Sequence, residues 1–191
     1  MDAKLFGKWG YDAEVTDLGL KSYINLKPRV IPRSCGRAGG DKNVVELLIT
    51  HLMVPGHKGK KHRTTSGQCT GKYATVYSIV EDTFDVIAEK TKANPVEAFV
   101  KAIENSAPYE LTISQQMGGI VARKPAICAP RKRLDLVIRR FVQGAYQKSF
   151  SGKKPIVQTL SAEILAAYKN SAESFAIQER QRNEREAEGA R

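Results

Sequence analysis

Asn94-Pro95-Val96-Glu97-Ala98-Phe99-Val100-Lys101-Ala102-Ile103, followed over residues 109–128 by YELTISQQMGGIVARKPAIC, is the stretch whose reading decides the fold. Asn94 can cap a helix, Pro95 suits the first turn because no backbone donor is needed there, and Glu97 sits where a capping-box carboxylate sits. Phe99, Val100 and Ile103 then face a core. From Tyr109 the period changes. Leu111 and Ile113 alternate with polar residues up to Gly118-Gly119, and Ile120, Pro125 and Ile127 follow. That pattern predicts a two-stranded ribbon over roughly 110–128 that folds back near the glycines.

Working outward, Val44, Val45, Leu47, Leu48, Ile49, Leu52 and Met53 fill one broad helical face, with Asp41 or Asn43 available as N-cap and Pro55-Gly56 as a stop. Tyr73, Val76, Tyr77, Val80, Phe84 and Ile87 recur at helical steps and predict a helix closing near Thr91. Pro130 opens another, with Leu134, Val137, Ile138, Phe141, Val142 and Ala145 inward. A further one carries Ile156, Leu160, Ile164, Leu165 and Tyr168. Residues 171–191 are nearly all charge after Ser174-Phe175-Ala176-Ile177, which predicts a solvated helix that frays. Residues 1–26 mix both signs around Trp9, Tyr11, Leu18, Leu20, Tyr23 and Ile24 and read as an irregular arm able to pack on a neighbouring surface. The expected architecture is mainly α: a compact bundle of about six helices with a protruding two-stranded β-ribbon. It forms one domain over 1–191, with an N-terminal arm over 1–40.

Charge narrows the function. The 191 residues hold 31 Lys and Arg against 20 Asp and Glu, a formal net charge of +11, while 41% hydrophobic residues suffice for a folded core. Such a surplus calls for a polyanionic partner, because phosphates are attracted at long range and release counterions on contact. A membrane is the poorer partner: no apolar run nears the roughly 20 residues of a span, and no basic helix has a bulky aromatic face. Residues 1–10 lack the apolar stretch of a signal peptide, and no Asn-x-Ser/Thr site occurs, so an intracellular location is expected.

The surplus is also localised. Residues 64–118 hold four Lys against seven Asp and Glu. By contrast, 27–63 holds nine Lys and Arg against two acids, and 119–154 holds ten against one. These basic runs fall in Gly-rich loops, at helix starts and beside the ribbon, where backbone donors can approach phosphate. Extended Arg-rich connectors and a ribbon suit folded RNA, which proteins read largely by shape and backbone. One side of the bundle is therefore expected to meet RNA.

Catalytic readings fare worse. His51, His57, His62 and Cys69 lie in one stretch, but their spacings match no common zinc site and the loop's cations oppose a metal. Gly56-His57-Lys58-Gly59-Lys60-Lys61 lacks the Gly and the Ser or Thr of a phosphate loop, since Val54 and Lys61 stand at those places. No nucleophile has a placed base. Cys35, Cys69 and Cys128 are an odd number without a CxxC pair and read as reduced thiols. No cofactor, metal or small-molecule substrate is expected, and the chain is not read as an enzyme. A stand-alone RNA-binding regulator is the alternative reading.

Six strings occur in order: Gly56-His57-Lys58-Gly59-Lys60-Lys61-His62, Asn94-Pro95, Ala102-Ile103-Glu104-Asn105-Ser106-Ala107-Pro108, Gly118-Gly119-Ile120, Pro130-Arg131-Lys132-Arg133-Leu134-Asp135 and Ser174-Phe175-Ala176-Ile177. Together they resemble the universal small-subunit ribosomal protein seven family, called protein five in eukaryotes, over nearly the whole chain. Gly7-Lys8-Trp9 and Gly189-Ala190-Arg191 resemble its archaeal and eukaryotic branch. The resemblance implies a structural constituent of the small ribosomal subunit that binds the 3′ major domain of small-subunit rRNA and supports head assembly. It also implies a ribbon at the exit site, near mRNA and exit-site tRNA, with head and platform ribosomal proteins as neighbours. The implied location is the cytoplasmic ribosome, with nucleolar assembly in a eukaryote.

Carried over by position, the residues implied to hold rRNA are Arg29, Arg33, Arg37, Lys58, Lys60, Lys61, Arg63, Arg131, Lys132 and Arg133. The basic run that continues through Arg139, Lys148, Lys153 and Lys154 joins them as candidate rRNA contacts. Gly118, Gly119, Arg123 and Lys124 are implied to lie at or beside the ribbon tip. Two departures stand out. Tyr109 occupies a place where the family usually has Arg, and the first strand, 111–117, carries no basic residue. The 64–70 insert is also longer and more polar than the family pattern.

Overall fold

A computed structural model describes residues 4–26, 43–57, 67–150 and 154–191. Asn94 caps as its position predicts: its Oδ1 accepts from the Val96 N–H at 3.1 Å, and Pro95 occupies the first turn of α4 (Pro95–Ser106). Its Nδ2 donates to the Gly10 carbonyl, so the same side chain also ties down the arm. Asn43, not Asp41, caps α2 (Val44–Met53), its Oδ1 accepting from the Val45 N–H at 2.9 Å. α3 (Tyr73–Thr91) ends where the periodicity ends, followed by Lys92 in the left-handed region. α5 (Pro130–Phe150) and α6 (Ile156–Tyr168) complete the central bundle, with α6 packed on α3, α4 and α5.

The core is aromatic along one line. Phe6, Phe84, Phe99 and Phe141 touch in sequence, with ring centroids 5.9, 5.6 and 6.4 Å apart, joining the arm, α3, α4 and α5. Such pairs add about 0.5–1.5 kcal/mol each beyond the area they bury. The arm thus packs on this chain's own helices. Leu20 and Ile24 are buried, whereas Leu18, in the one-turn α1 (Leu18–Lys21), faces solvent. The Glu104 carboxylate accepts from the Thr16 and Asp17 N–H groups and from the Thr16 hydroxyl, and Lys8 pairs with Glu81 and Asp85 on α3.

The ribbon is β1 (Glu110–Met117) paired antiparallel with β2 (Ile120–Ile127), in a register that sets Glu110 opposite Ile127 and Met117 opposite Ile120. Gly118 and Gly119 form the two-residue turn with φ of +53° and +90°. Two consecutive positive φ values are what a type I′ hairpin needs, and glycine supplies them without strain.

Residues 171–191 correct the expectation of a fraying, solvated helix. In α7 (Phe175–Glu188) Phe175, Ala176 and Ile177 are buried at one end and Ala187 at the other. Between them the Arg180 guanidinium donates to the Asn105 carbonyl, and Arg191 donates to both Glu110 oxygens at 2.6 and 2.8 Å. Ala176, Arg180, Asn183 and Ala187 follow one another at steps of four, three and four, so a narrow inward stripe runs through a charged segment. Among the described residues there are six longer α-helices, the single turn of α1 and a 3-10 turn at Gly67–Cys69, and no helix is long and apolar enough to cross a membrane.

Candidate nucleic-acid interface

At about 100° per residue, Lys132, Arg139 and Gln143 fall on the face of α5 roughly opposite Phe141. The burial pattern agrees. Phe141 is fully buried, Lys132 and its neighbour Arg131 are exposed, and Arg139 and Gln143 are half-buried. Gln143 Nε2 donates to the His57 carbonyl at 3.3 Å, which sets His57 against this same outer face. The first turn of α5 contains no acidic residue. Cations beside the positive end of a helix repel its dipole, and a phosphate there satisfies both the cations and the free N–H groups.

Arg133 departs from its expected place. Only 5% exposed, it donates through Nη2 to Asp17 Oδ2 at 2.7 Å and through Nε to the Pro108 carbonyl at 3.0 Å. Its guanidinium also lies 4.4 Å from the centre of the Tyr109 ring. These two hydrogen bonds run to the ribbon base and to the arm, so Arg133 is a clasp that fixes the ribbon relative to Arg131 and Lys132. Tyr109, standing where the resemblance expects a cation, is the ring that covers it. Burial pushes the Asp17 carboxyl up, but Arg133 and the Gly19 N–H outweigh burial and hold it below the ordinary Asp range.

Lys148 is also engaged within the fold: its Nζ donates to Glu163 Oε2 at 2.7 Å and to the Glu173 carbonyl at 3.2 Å. Arg140, counted in the basic surplus, is 7% exposed; burial lowers its pKa, and Glu179 partly offsets that. Burial likewise raises the Cys128 thiol, against the pull of Lys132, Arg133 and Arg140. Lys154 is exposed.

Arg123 and Lys124 are exposed midway along the ribbon and not at its tip, opposite Ser114 and Ile113, so the pleat directs them to different faces. Gly118 and Gly119 are exposed at the tip. Arg29, Arg33, Arg37, Lys58, Lys60, Lys61, Arg63 and Lys153 lie outside the described residues. So do Cys35, His62 and residues 64–66 of the 64–70 insert. Among the described residues no group of three or more His, Cys, Asp and Glu is placed to hold a metal, and Cys69 and Cys128 are free.

Residues 20–191 match the family described as ribosomal protein S7p/S5e. The chain belongs to that family. It is 44% identical over 198 residues to the small ribosomal subunit protein uS7 of Nanoarchaeum equitans, a match that covers all of both chains. The uS7 proteins of Methanosphaera stadtmanae and Methanothrix thermoacetophila are 38% and 36% identical, over 100% and 98% of this chain and all of theirs. These S7p/S5e relatives are archaeal, in line with the branch that the terminal strings resemble.

Within the S7p/S5e chain, Arg133 is buried in an internal pair, whereas Lys148 bonds Glu163 from an exposed position. Lys148 falls seven residues after Phe141, two turns along the same side of α5, yet its side chain stays exposed while its ammonium pairs with the buried Glu163. Arg133 sits on the flank between core and surface, and Asp17 of the arm together with the Pro108 carbonyl decides its direction. Phe150 escapes a reading by charge altogether. It lies nine residues after Phe141, half a turn from the core.

Proposed function

We propose that this chain is a structural, non-catalytic constituent of the small ribosomal subunit that binds the 3′ major domain of small-subunit rRNA and supports assembly of the head. The observation that carries the reading is the first turn of α5. There Arg131 and Lys132 are exposed at a helix start whose first turn holds no acidic residue, on a segment whose outer face continues with Arg139. Arg131, Lys132, Arg139 and Lys154 are the described rRNA contacts. Arg29, Arg33, Arg37, Lys58, Lys60, Lys61, Arg63 and Lys153 join them from the basic connector and loops. Arg133 and Lys148 act indirectly, by positioning.

The ribbon supports a second contact. Eight residues per strand give it a reach of about 26 Å, with two glycines at its tip and Arg123 and Lys124 midway along it. In the proposed assembly it lies at the exit site, beside mRNA and exit-site tRNA, with head and platform proteins against the rest of the surface. The site of action is the ribosome, in the cytoplasm. Competition binding tests the reading: a transcript of the 3′ major domain should displace labelled RNA far better than an equally long transcript of the 5′ domain. Equal displacement by both would reject it.

A further inference from the structure

Of the chain's six phenylalanines, Phe84, Phe99, Phe141 and Phe175 are buried and Phe6 packs against the core, whereas Phe150 is 77% exposed. It ends α5 on the face roughly 180° from Phe141. The ring is not loose. It stacks on Tyr146, one turn earlier, with centroids 5.7 Å apart and planes 26° from parallel. The Ser149 hydroxyl donates to the Tyr146 carbonyl within the same turn.

A single exposed aromatic ring is ordinary on a protein surface. What sets this one apart is the charge around it. Tyr146 lines a cavity of about 430 Å³ together with Lys72, Lys154, Gln68 and Thr75, and no Asp or Glu is among its described lining residues. The stacked pair also terminates the same outer face of α5 that bears Lys132 and Arg139. A flat π-surface flanked by cations, without carboxylates, matches an unpaired nucleobase and its phosphate. An apolar side chain of a protein partner would cover the ring but bring no anion for Lys154.

We propose that Phe150, stacked on Tyr146, is a platform for one unpaired base of the bound RNA, with Lys154 holding the adjoining phosphate. The proposal rests on the RNA-binding reading above and extends it from charge to stacking. The test is binding of the full chain to a 3′ major domain transcript at several salt concentrations, for wild type, Phe150→Ala, Phe150→Trp and Lys154→Ala.

Phe150→Ala should weaken binding about 5- to 150-fold, the range for one lost stacked base, with an unchanged salt slope. Phe150→Trp should bind like wild type, and Lys154→Ala should lower the slope by about 1. Because the ring is exposed, thermal unfolding of Phe150→Ala should match wild type, which separates a lost contact from a lost fold. Wild-type affinity in Phe150→Ala overturns the platform alone, as does a fall in its salt slope. Failure of the wild-type chain to bind the transcript overturns both the platform and the reading beneath it.

Discussion

Arg133 and Asp17 are joined by a bond of 2.7 Å between two largely buried side chains, and that bond ties the N-terminal arm to α5. The same guanidinium holds the Pro108 carbonyl at the base of the ribbon. One side chain therefore sets the relative placement of the arm, the ribbon and the exposed cations Arg131 and Lys132.

Removing either partner should leave the other buried and unpaired. Arg133→Ala and Asp17→Ala should each lower the unfolding free energy by about 3 kcal/mol, the low end for one-sided loss of a buried pair. The double variant should cost less than the sum, with a coupling of about 1–3 kcal/mol in urea unfolding. Additive losses would show that the bond does not act as a clasp.

The pair also predicts a pH dependence. The folded-state pKa of Asp17 lies below its ordinary value, so its contribution is fully present above about 3.9 and disappears as pH falls through the depressed folded value. The stability gap between wild type and Asp17→Asn should therefore be constant from pH 7 to 5 and shrink in stronger acid. A gap that persists unchanged in strong acid would contradict the assignment.

Glu163 predicts a different lesion. Fully buried, its Oε1 accepts from the Ser174 hydroxyl and from the Phe175 and Ala176 N–H groups at the start of α7, while Oε2 accepts from Lys148. Glu163→Ala should cost about 3 kcal/mol or more, and Glu163→Gln less because one acceptor remains. Gly144 lies beneath this cluster. A Cβ there would stand 2.9 Å from Phe175 Cβ and 3.1 Å from the Glu163 carboxyl, so Gly144→Ala should cost about 1–3 kcal/mol in thermal or urea unfolding.

Wherever apolar period alone decides, sequence and structure agree closely. α3 ends at Thr91, Asn94 and Pro95 open α4, and the ribbon turns at Gly118-Gly119. These are local decisions, made by residues within a turn or two of each other. The docking of α7 is not local. It depends on Asn105 and Glu110 accepting from Arg180 and Arg191, more than seventy residues apart in sequence. Charge counting also misplaces Arg133 on the surface and misses that the exposed Lys148 is held by an internal partner. Their partners, Asp17 and Glu163, come from the arm and from α6, and only the assembled bundle brings them close.

Exposed and clasped cations should differ in their salt response. Lys132→Ala and Arg139→Ala should each reduce the salt slope of RNA binding by about 1, the loss of one phosphate contact. Arg133→Ala should weaken binding mainly through stability and leave the slope near wild type. Equal slope changes at all three positions would place Arg133 on the RNA after all.

Sedimentation of the native chain tests the central claim most directly. In a cell extract resolved on a sucrose gradient at moderate salt, the chain should travel with small ribosomal subunits. High salt should release it, because the contacts of Arg131, Lys132 and Arg139 are electrostatic. Recovery wholly in the light fractions at moderate salt would contradict the account.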